Sequence, residues 1–215
     1  MNLIATPTTL TIAKIHLSKV DPLLLPIIER VGLATITPHK NYYKALVESI
    51  ISQQLNVKAA DTILQRFIHL FAGSDFPTPD QILKVDIEKL REVGMSHQKG
   101  SYIRDLALKV LDGTITFNQL DTLNNDEVVA ELTQVKGVGV WTVHMFLIFC
   151  MGRLDVLPVG DLGIKNGTRK LYDLEHLPTP DEITALAVKN HWHPYESVAS
   201  WYVWHSLDNQ PAAKP

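Results

Sequence analysis

The sequence predicts an all-α fold, and three observations carry that reading. Few windows alternate apolar and polar residues with a period of two, as a half-buried strand would. The long segments repeat apolar residues at helical spacing, and Leu46, Val47, Ile50 and Ile51 share one helical face. Helix-start signatures also recur. Thr78-Pro79-Asp80-Gln81 and Thr179-Pro180-Asp181-Glu182 each combine a capping threonine, a proline at the first helical position and a Gln or Glu three residues after the cap.

From the N-terminus, TLTIAKIHLSK and DPLLLPIIERVG read as two helices, the second with Asp21 as N-cap, Pro22 at its first position and Gly32 as its stop. The apolar face that begins at Asn41 ends in a polar break from Gln53 to Asn56, and a further helix runs through Phe71. After the Thr78 start come IEKLREVG, a helix from about Gln98 to Leu111, and NNDEVVAELTQV. The run from Val138 to Cys150 is mostly apolar but shorter than the ~20 residues that cross a bilayer, so it reads as a buried helix and no membrane segment is expected. Pro158 and Gly160 break the chain, and Asp161 opens the next helix. Only the final DNQPAAKP reads as disordered.

At 215 residues and 46% hydrophobic content the chain can bury a sizeable core, as one unit or as two lobes. A single cysteine excludes an internal disulfide framework and any cluster held by four cysteines, and an intracellular, reducing setting is expected. MNLIATPTTLTIAKIHL lacks the pattern of a signal peptide. The net charge of −3 argues against binding a polyanion by bulk electrostatics. Locally the balance reverses: between Gln134 and Lys170 stand Lys136, Arg153, Lys165, Arg169 and Lys170 against Asp155 and Asp161.

Residues 132 to 166 hold the densest chemistry. Gly137 and Gly139 flank Val138 between helical segments, so the backbone can turn tightly and bring its N–H groups close to another surface, such as a phosphate. Asp161, after a glycine and before a helix, is a favoured N-cap worth about 1 kcal/mol. A carboxylate placed there could also face positive charge developing on a reacting group. Trp141 and Trp192 suit a buried core equally well. Lys136 and Lys165 suit phosphate contact or plain solvation, and Gln53, Gln54, Leu55 and Asn56 suit helix capping. His191 and His193 have no partner ligand at metal-binding spacing.

Five segments, in this order, resemble the helix-hairpin-helix, Gly/Pro-Asp superfamily of base-excision DNA glycosylases. They are Ile50 to Ala60; Val93 to Lys99 running on to Ala107; Val135-Lys136-Gly137-Val138-Gly139-Val140-Trp141-Thr142; Leu157-Pro158-Val159-Gly160-Asp161; and Trp192-His193-Pro194-Tyr195 with Trp201 and Trp204 after it. Within the superfamily the chain is most similar to the 3-methyladenine DNA glycosylase II family. The resemblance implies two helical lobes, residues 40–155 and residues 1–39 plus 156–208, forming one glycosylase unit with the hairpin and Asp161 in a cleft between them. Larger members carry an additional N-terminal β domain, for which this chain starts too late.

The resemblance also implies roles. Asp161 is the expected catalyst, and Trp141 and Trp192 line the base pocket, where an indole face favours a cationic alkylated purine by about 0.5–2 kcal/mol. Gln53, Gln54 and Leu55 lie where the family fills the gap left by an extruded base, with Gln54 at the plug position. Relatives often place an apolar wedge there, so the polar Gln54 departs from the pattern. Lys136, Gly137, Gly139, Val140 and Lys165 are expected DNA contacts. Related bifunctional enzymes have a nucleophilic lysine where this chain has Trp141, so no lyase activity is expected. No cofactor is required, and the four-cysteine iron–sulfur cluster of some relatives is excluded by the cysteine count. The family's hairpin sodium or potassium ion would lie on the carbonyls of Thr133, Val135 and Val138.

The expected partner is double-stranded DNA containing damaged bases, and the protein is expected to be a monomer, in the cytoplasm or nucleoid of a bacterium or the nucleus of a eukaryote. The expected activity is monofunctional hydrolysis of the N-glycosidic bond of alkylated purines such as 3-methyladenine and 7-methylguanine. The alternatives are a glycosylase of the same superfamily for other damaged bases and a non-catalytic DNA-binding module.

Overall fold

The computed structural model describes residues 3–71 and 75–208. Its helices in chain order are α1 (Pro7–Val20), α2 (Leu25–Val31), α3 (Tyr42–Ser52), α4 (Val57–His69), α5 (Pro79–Lys84), α6 (Ile87–Glu92), α7 (His97–Leu111), α8 (Asn125–Leu132), α9 (Val140–Met145), α10 (Leu162–Leu171), α11 (Pro180–Lys189) and α12 (Glu196–His205). A 3₁₀ turn covers Phe117–Gln119, and α9 passes into a π-helical turn, Phe146–Cys150. Among the described residues the only extended pairing is an isolated bridge between Ile4 and Arg153, so the fold is all-α. None of the described helices is long and apolar enough to cross a membrane. Of the C-terminal stretch expected to be disordered, residues 209–215 lie outside the described residues.

Helix starts follow local chemistry. Thr6, Thr78, Asn124 and Thr179 all close reciprocal capping boxes, satisfying N–H groups that the first helical turn leaves without partners. Asp21 is not the N-cap that the sequence suggests. Its Oδ1 accepts from the N–H groups of Leu23 and Leu24 in a turn ahead of α2, and the helix begins only at Leu25. Gly32 does end α2, at φ 78°, with its N–H on the Ile28 carbonyl.

The chain divides into two compact units. Residues 40–146 form one; the segments through His39 and from Leu147 onward form the other. The boundary falls after Phe146 and not at 155, because the segment after the π turn is bonded into the unit built from the chain ends. Ala5 N–H donates to Gly152 O at 2.7 Å, Leu154 N–H to Leu3 O at 3.0 Å, and Ser197 Oγ to Arg153 O at 2.7 Å.

In the unit of residues 40–146, α7 packs against α3, α5 and α6, with Leu46, Ile50, Phe67, Ile82, Leu90, Ile103 and Leu106 fully buried. Each such side chain contributes roughly 1.5–3 kcal/mol of transfer free energy. In the other unit, α12 packs against α1, α2 and α10 around Leu17, Ile28, Ile164, Val198 and Tyr202. α10 and α12 approach closely because two glycines four residues apart on α10 face α12. A Cβ on Gly167 would lie 2.6 Å from both Val203 Cγ1 and the Val203 carbonyl oxygen, and one on Gly163 would lie 2.9 Å from Trp204 Cδ1.

Candidate functional site

Asp161 sits at the N-terminus of α10 in extended conformation, half-buried, where its Oδ1 accepts the Ile164 N–H at 2.7 Å. The same oxygen accepts the Trp204 indole N–H at 2.8 Å. Two donors on one oxygen, together with the positive end of the helix dipole, hold the carboxylate in one orientation. Behind it the Trp204 ring stacks on Phe149, with centroids 5.8 Å apart and planes 29° from parallel. Gly163 makes the cluster possible: a Cβ there would be 2.9 Å from Asp161 Oδ1 and 3.0 Å from Trp204 Nε1.

Trp192 is not part of that cluster. It is fully buried, its ring lies against Tyr172, and its Nε1 donates to Asp21 Oδ2 at 2.8 Å. Tyr172 OH donates to the same oxygen, and burial raises its pKa far above the usual phenol value. Asp21 therefore needs Trp192 as a donor, because a buried carboxylate without partners is costly. The base-pocket assignment of Trp192 is corrected to a core role. The tryptophan beside the expected catalyst is Trp204, to which sequence reasoning assigned no role; the Gly163 and Gly167 spacing, which brings α12 against α10, was the available signal.

In the other unit α7 organises the hairpin. Gly137 adopts φ 79°, and a Cβ there would fall 2.0 Å from the Tyr102 ring, so both conformation and space require glycine. Asp105 Oδ2 accepts the Lys136 backbone N–H at 2.9 Å and the Lys109 ammonium at 2.8 Å. Although burial pushes the Asp105 carboxyl up, these hydrogen bonds and the nearby lysine charges hold it below the usual carboxylate range. Val135 and Val138 point into the core, while Lys136, Gly137, Gly139 and Val140 are exposed. Gly139, the N-cap of α9, contributes no side-chain cap, so the first N–H groups of the helical run that continues to Cys150 lie at an exposed turn.

The segment Gln53 to Leu55 lies beside the hairpin. Gln53 Nε2 donates to Gly137 O at 2.8 Å, whereas Gln54, at φ 58°, and Leu55 expose their side chains. Lys99 Nζ donates to Ile51 O at 2.8 Å and Gln53 O at 2.6 Å. A cavity of about 590 Å³ opens here, with Ser52, Gln54, Lys99, Tyr102, Trp141 and Met145 in its wall. Trp141 is 49% exposed, as a ring available to a ligand must be. Asn56, the fourth residue of the polar break, is the N-cap of α4.

The basic residues of the motif region separate. Arg153 is fully buried and Lys170 Nζ bonds Ser206 O at 3.1 Å, while the Lys136 side chain is 73% exposed and Lys165 is half-buried. Arg153 therefore drops out of the cationic surface suggested by the sequence. Among the described residues no group of three or more His, Cys, Asp or Glu side chains could hold a metal ion.

An all-helical fold in which a glycine hairpin and a helix-capping aspartate follow one another defines a class. The chain belongs to the HhH-GPD superfamily of base excision DNA repair proteins, whose family model matches residues 47–191. Among its relatives it is similar to DNA-3-methyladenine glycosylase 1 of Schizosaccharomyces pombe, at 36% identity over 97% of this chain and 92% of the relative. It is 33% identical to the alkylbase DNA glycosidase-like protein mag2 of the same yeast, over 89% of this chain and 91% of that protein. The S. pombe 3-methyladenine DNA glycosylase solved in complex with abasic DNA matches with a TM-score of 0.77 at 35% identity, covering 89% of this chain and 94% of that one. The DNA-3-methyladenine glycosidase of Bacillus halodurans matches with a TM-score of 0.77 at 34% identity, covering 95% and 91%.

Proposed function

We propose that this chain is a monofunctional DNA glycosylase that hydrolyses the N-glycosidic bond of alkylated purines in duplex DNA. The observation that carries the reading is Asp161, fixed on one oxygen by the Ile164 and Trp204 N–H groups. As the C1′–N bond breaks, its electron pair leaves with the base. A 3-methyladenine or 7-methylguanine that was cationic departs neutral, so strong protonation by the enzyme is unnecessary. The sugar becomes oxocarbenium-like, and the Asp161 carboxylate stabilises that charge. Water then adds to C1′, its proton passes to Asp161 or solvent, and an abasic site remains.

Trp141 offers an exposed indole face to the flipped base, and Trp204 takes the aromatic role first assigned to Trp192. Lys136, Gly137, Gly139, Val140 and Lys165 contact the DNA backbone, and Gln53, Gln54 and Leu55 fill the space the base leaves. Thr133, Val135 and Val138 would hold a sodium or potassium ion through their main-chain carbonyls, and the ion would supply positive charge beside a phosphate. The protein works as a monomer inside the cell, where its substrate is.

The test is a panel of duplexes with single lesions, assayed for free base under single-turnover conditions with borohydride present. Release of alkylated purines, an intact strand bearing an abasic site and no trapped protein–DNA adduct are expected. Asp161→Asn should lower the rate at least ~100-fold, or about 2.7 kcal/mol. Release of no base from any lesion, or an adduct under borohydride, would refute the reading.

A further inference from the structure

We propose that Lys99 is a positioning residue for strand insertion: its ammonium, held between the carbonyls of Ile51 and Gln53, fixes the conformation in which Gln54 and Leu55 enter the duplex. The inference rests on the glycosylase reading and on the wedge role of those two side chains. The geometry behind it is local. Helix α3 has no glycine at its end. The C-cap Gln53 turns to φ −49°, ψ 130°, and Gln54 then adopts a left-handed φ of 58°, which a residue with a Cβ adopts only when its surroundings enforce it. Lys99 supplies that enforcement. At 2.8 and 2.6 Å its Nζ satisfies Ile51 O and Gln53 O, on either side of the helix terminus, where the helix dipole also favours a cation.

The second tie is the Gln53 side chain, whose Nε2 reaches Gly137 O at 2.8 Å and joins the same loop to the hairpin. Backbone and side chain of one residue are thus held from α7 and from the hairpin, while the next two side chains project outward. Lys99 is half-buried, and burial lowers its pKa from the usual lysine value. An ammonium committed to two carbonyls within the protein is poorly placed for phosphate contact. A wedge that must hold open a gap in stacked DNA has to be rigid before it meets the DNA, or the ordering cost falls on the flipping step.

The experiment uses the full chain and two duplexes carrying the same 7-methylguanine, one with it paired to cytosine, the other with it opposite a tetrahydrofuran abasic analogue and already unpaired. Lys99→Met should slow single-turnover excision from the paired duplex about tenfold or more, yet change excision from the unpaired duplex by less than about threefold. Lys99→Arg, which keeps charge and donors, should recover the paired rate to within about threefold of the parent. Amide exchange over residues 52–57 should quicken in Lys99→Met while the centres of α3 and α7 keep their protection. Parental rates on both duplexes, equal losses on both, or unchanged exchange over 52–57 would overturn the proposal. If the parent itself releases no base from either duplex, the glycosylase reading fails. Exchange in Lys99→Met, with the affinity difference between intact and abasic-analogue duplexes, would still decide whether Lys99 sets the loop.

Discussion

Gly163→Ala separates the geometry of Asp161 from its chemistry. The added methyl would stand 2.9 Å from Asp161 Oδ1, 2.9 Å from Trp204 Cδ1 and 3.0 Å from Trp204 Nε1. Relaxed contacts of this kind lie near 3.5 Å or beyond, so the carboxylate, the indole or both must move by roughly 0.5–1 Å. Neither moves cheaply, because Asp161 caps α10 and the indole stacks on Phe149. A displacement of that size at a reacting group costs about 10- to 100-fold in rate. Stability should fall far less than the rate, since alanine's advantage over glycine, about 1 kcal/mol in a helix interior and smaller in this first turn, offsets part of the strain. The expected result is a single-turnover rate on 3-methyladenine lowered at least ~10-fold with a near-parental melting temperature. Gly167→Ala is the contrast. Its methyl would meet the Val203 backbone oxygen at 2.6 Å, so it should lose stability first. If Gly163→Ala excises at the parental rate with its fold intact, the bond between Trp204 and Asp161 does not position the catalyst.

Three further outcomes follow from the structure. Trp192→Phe should destabilise the fold by about 1–3 kcal/mol, because buried Asp21 loses a donor, while the excision rate per folded molecule stays parental; a selective loss of activity on cationic bases would restore Trp192 to the pocket. The slope of log K against log salt on duplex DNA should lie near −2 to −4, at about −0.9 per neutralised phosphate, because Arg153 is buried and the net charge is −3; a slope of −8 or steeper would reveal a basic footprint elsewhere. The folded pKa of Asp105 is depressed, so its contribution is fully present above the unfolded value of about 4 and is lost as pH falls through the folded value. Asp105→Asn should therefore flatten the acid limb of the stability profile and quicken amide exchange at Lys136, and an unaltered acid limb would show that the ion pair contributes nothing.

Legibility in the sequence followed how local the determining chemistry was. The capping boxes at Thr78 and Thr179 and the polar break at Gln53 were readable because each is decided within one turn of chain. Asp161 was readable as a helix cap for the same reason. Asp21 misled because a proline follows it, as at a helix start, whereas its carboxylate serves a turn and then a buried cluster. The division between the units was placed too late because the segment after Cys150 belongs where its backbone hydrogen bonds go, and those partners, Leu3 and Ala5, stand at the other end of the chain.

The contrast between Trp192 and Trp204 shows where residue type stops being informative. Both are tryptophans near the C-terminus, and each donates its indole N–H to a carboxylate. What distinguishes them is which carboxylate. Trp192 serves Asp21, 171 residues away in sequence and 1% exposed, so donor and acceptor disappear together into the core. Trp204 serves Asp161, half-buried at a helix N-terminus, so the same hydrogen bond orients a group that solvent can reach. Tryptophan's propensity for burial is equal in the two cases and cannot separate them. The two glycines of α10 can, since they let α12 approach until an indole on it reaches the cap of α10. A stacking role for an aromatic residue is therefore better sought from the acid it must accompany, and from the small residues that bring the two together, than from the aromatic residue alone.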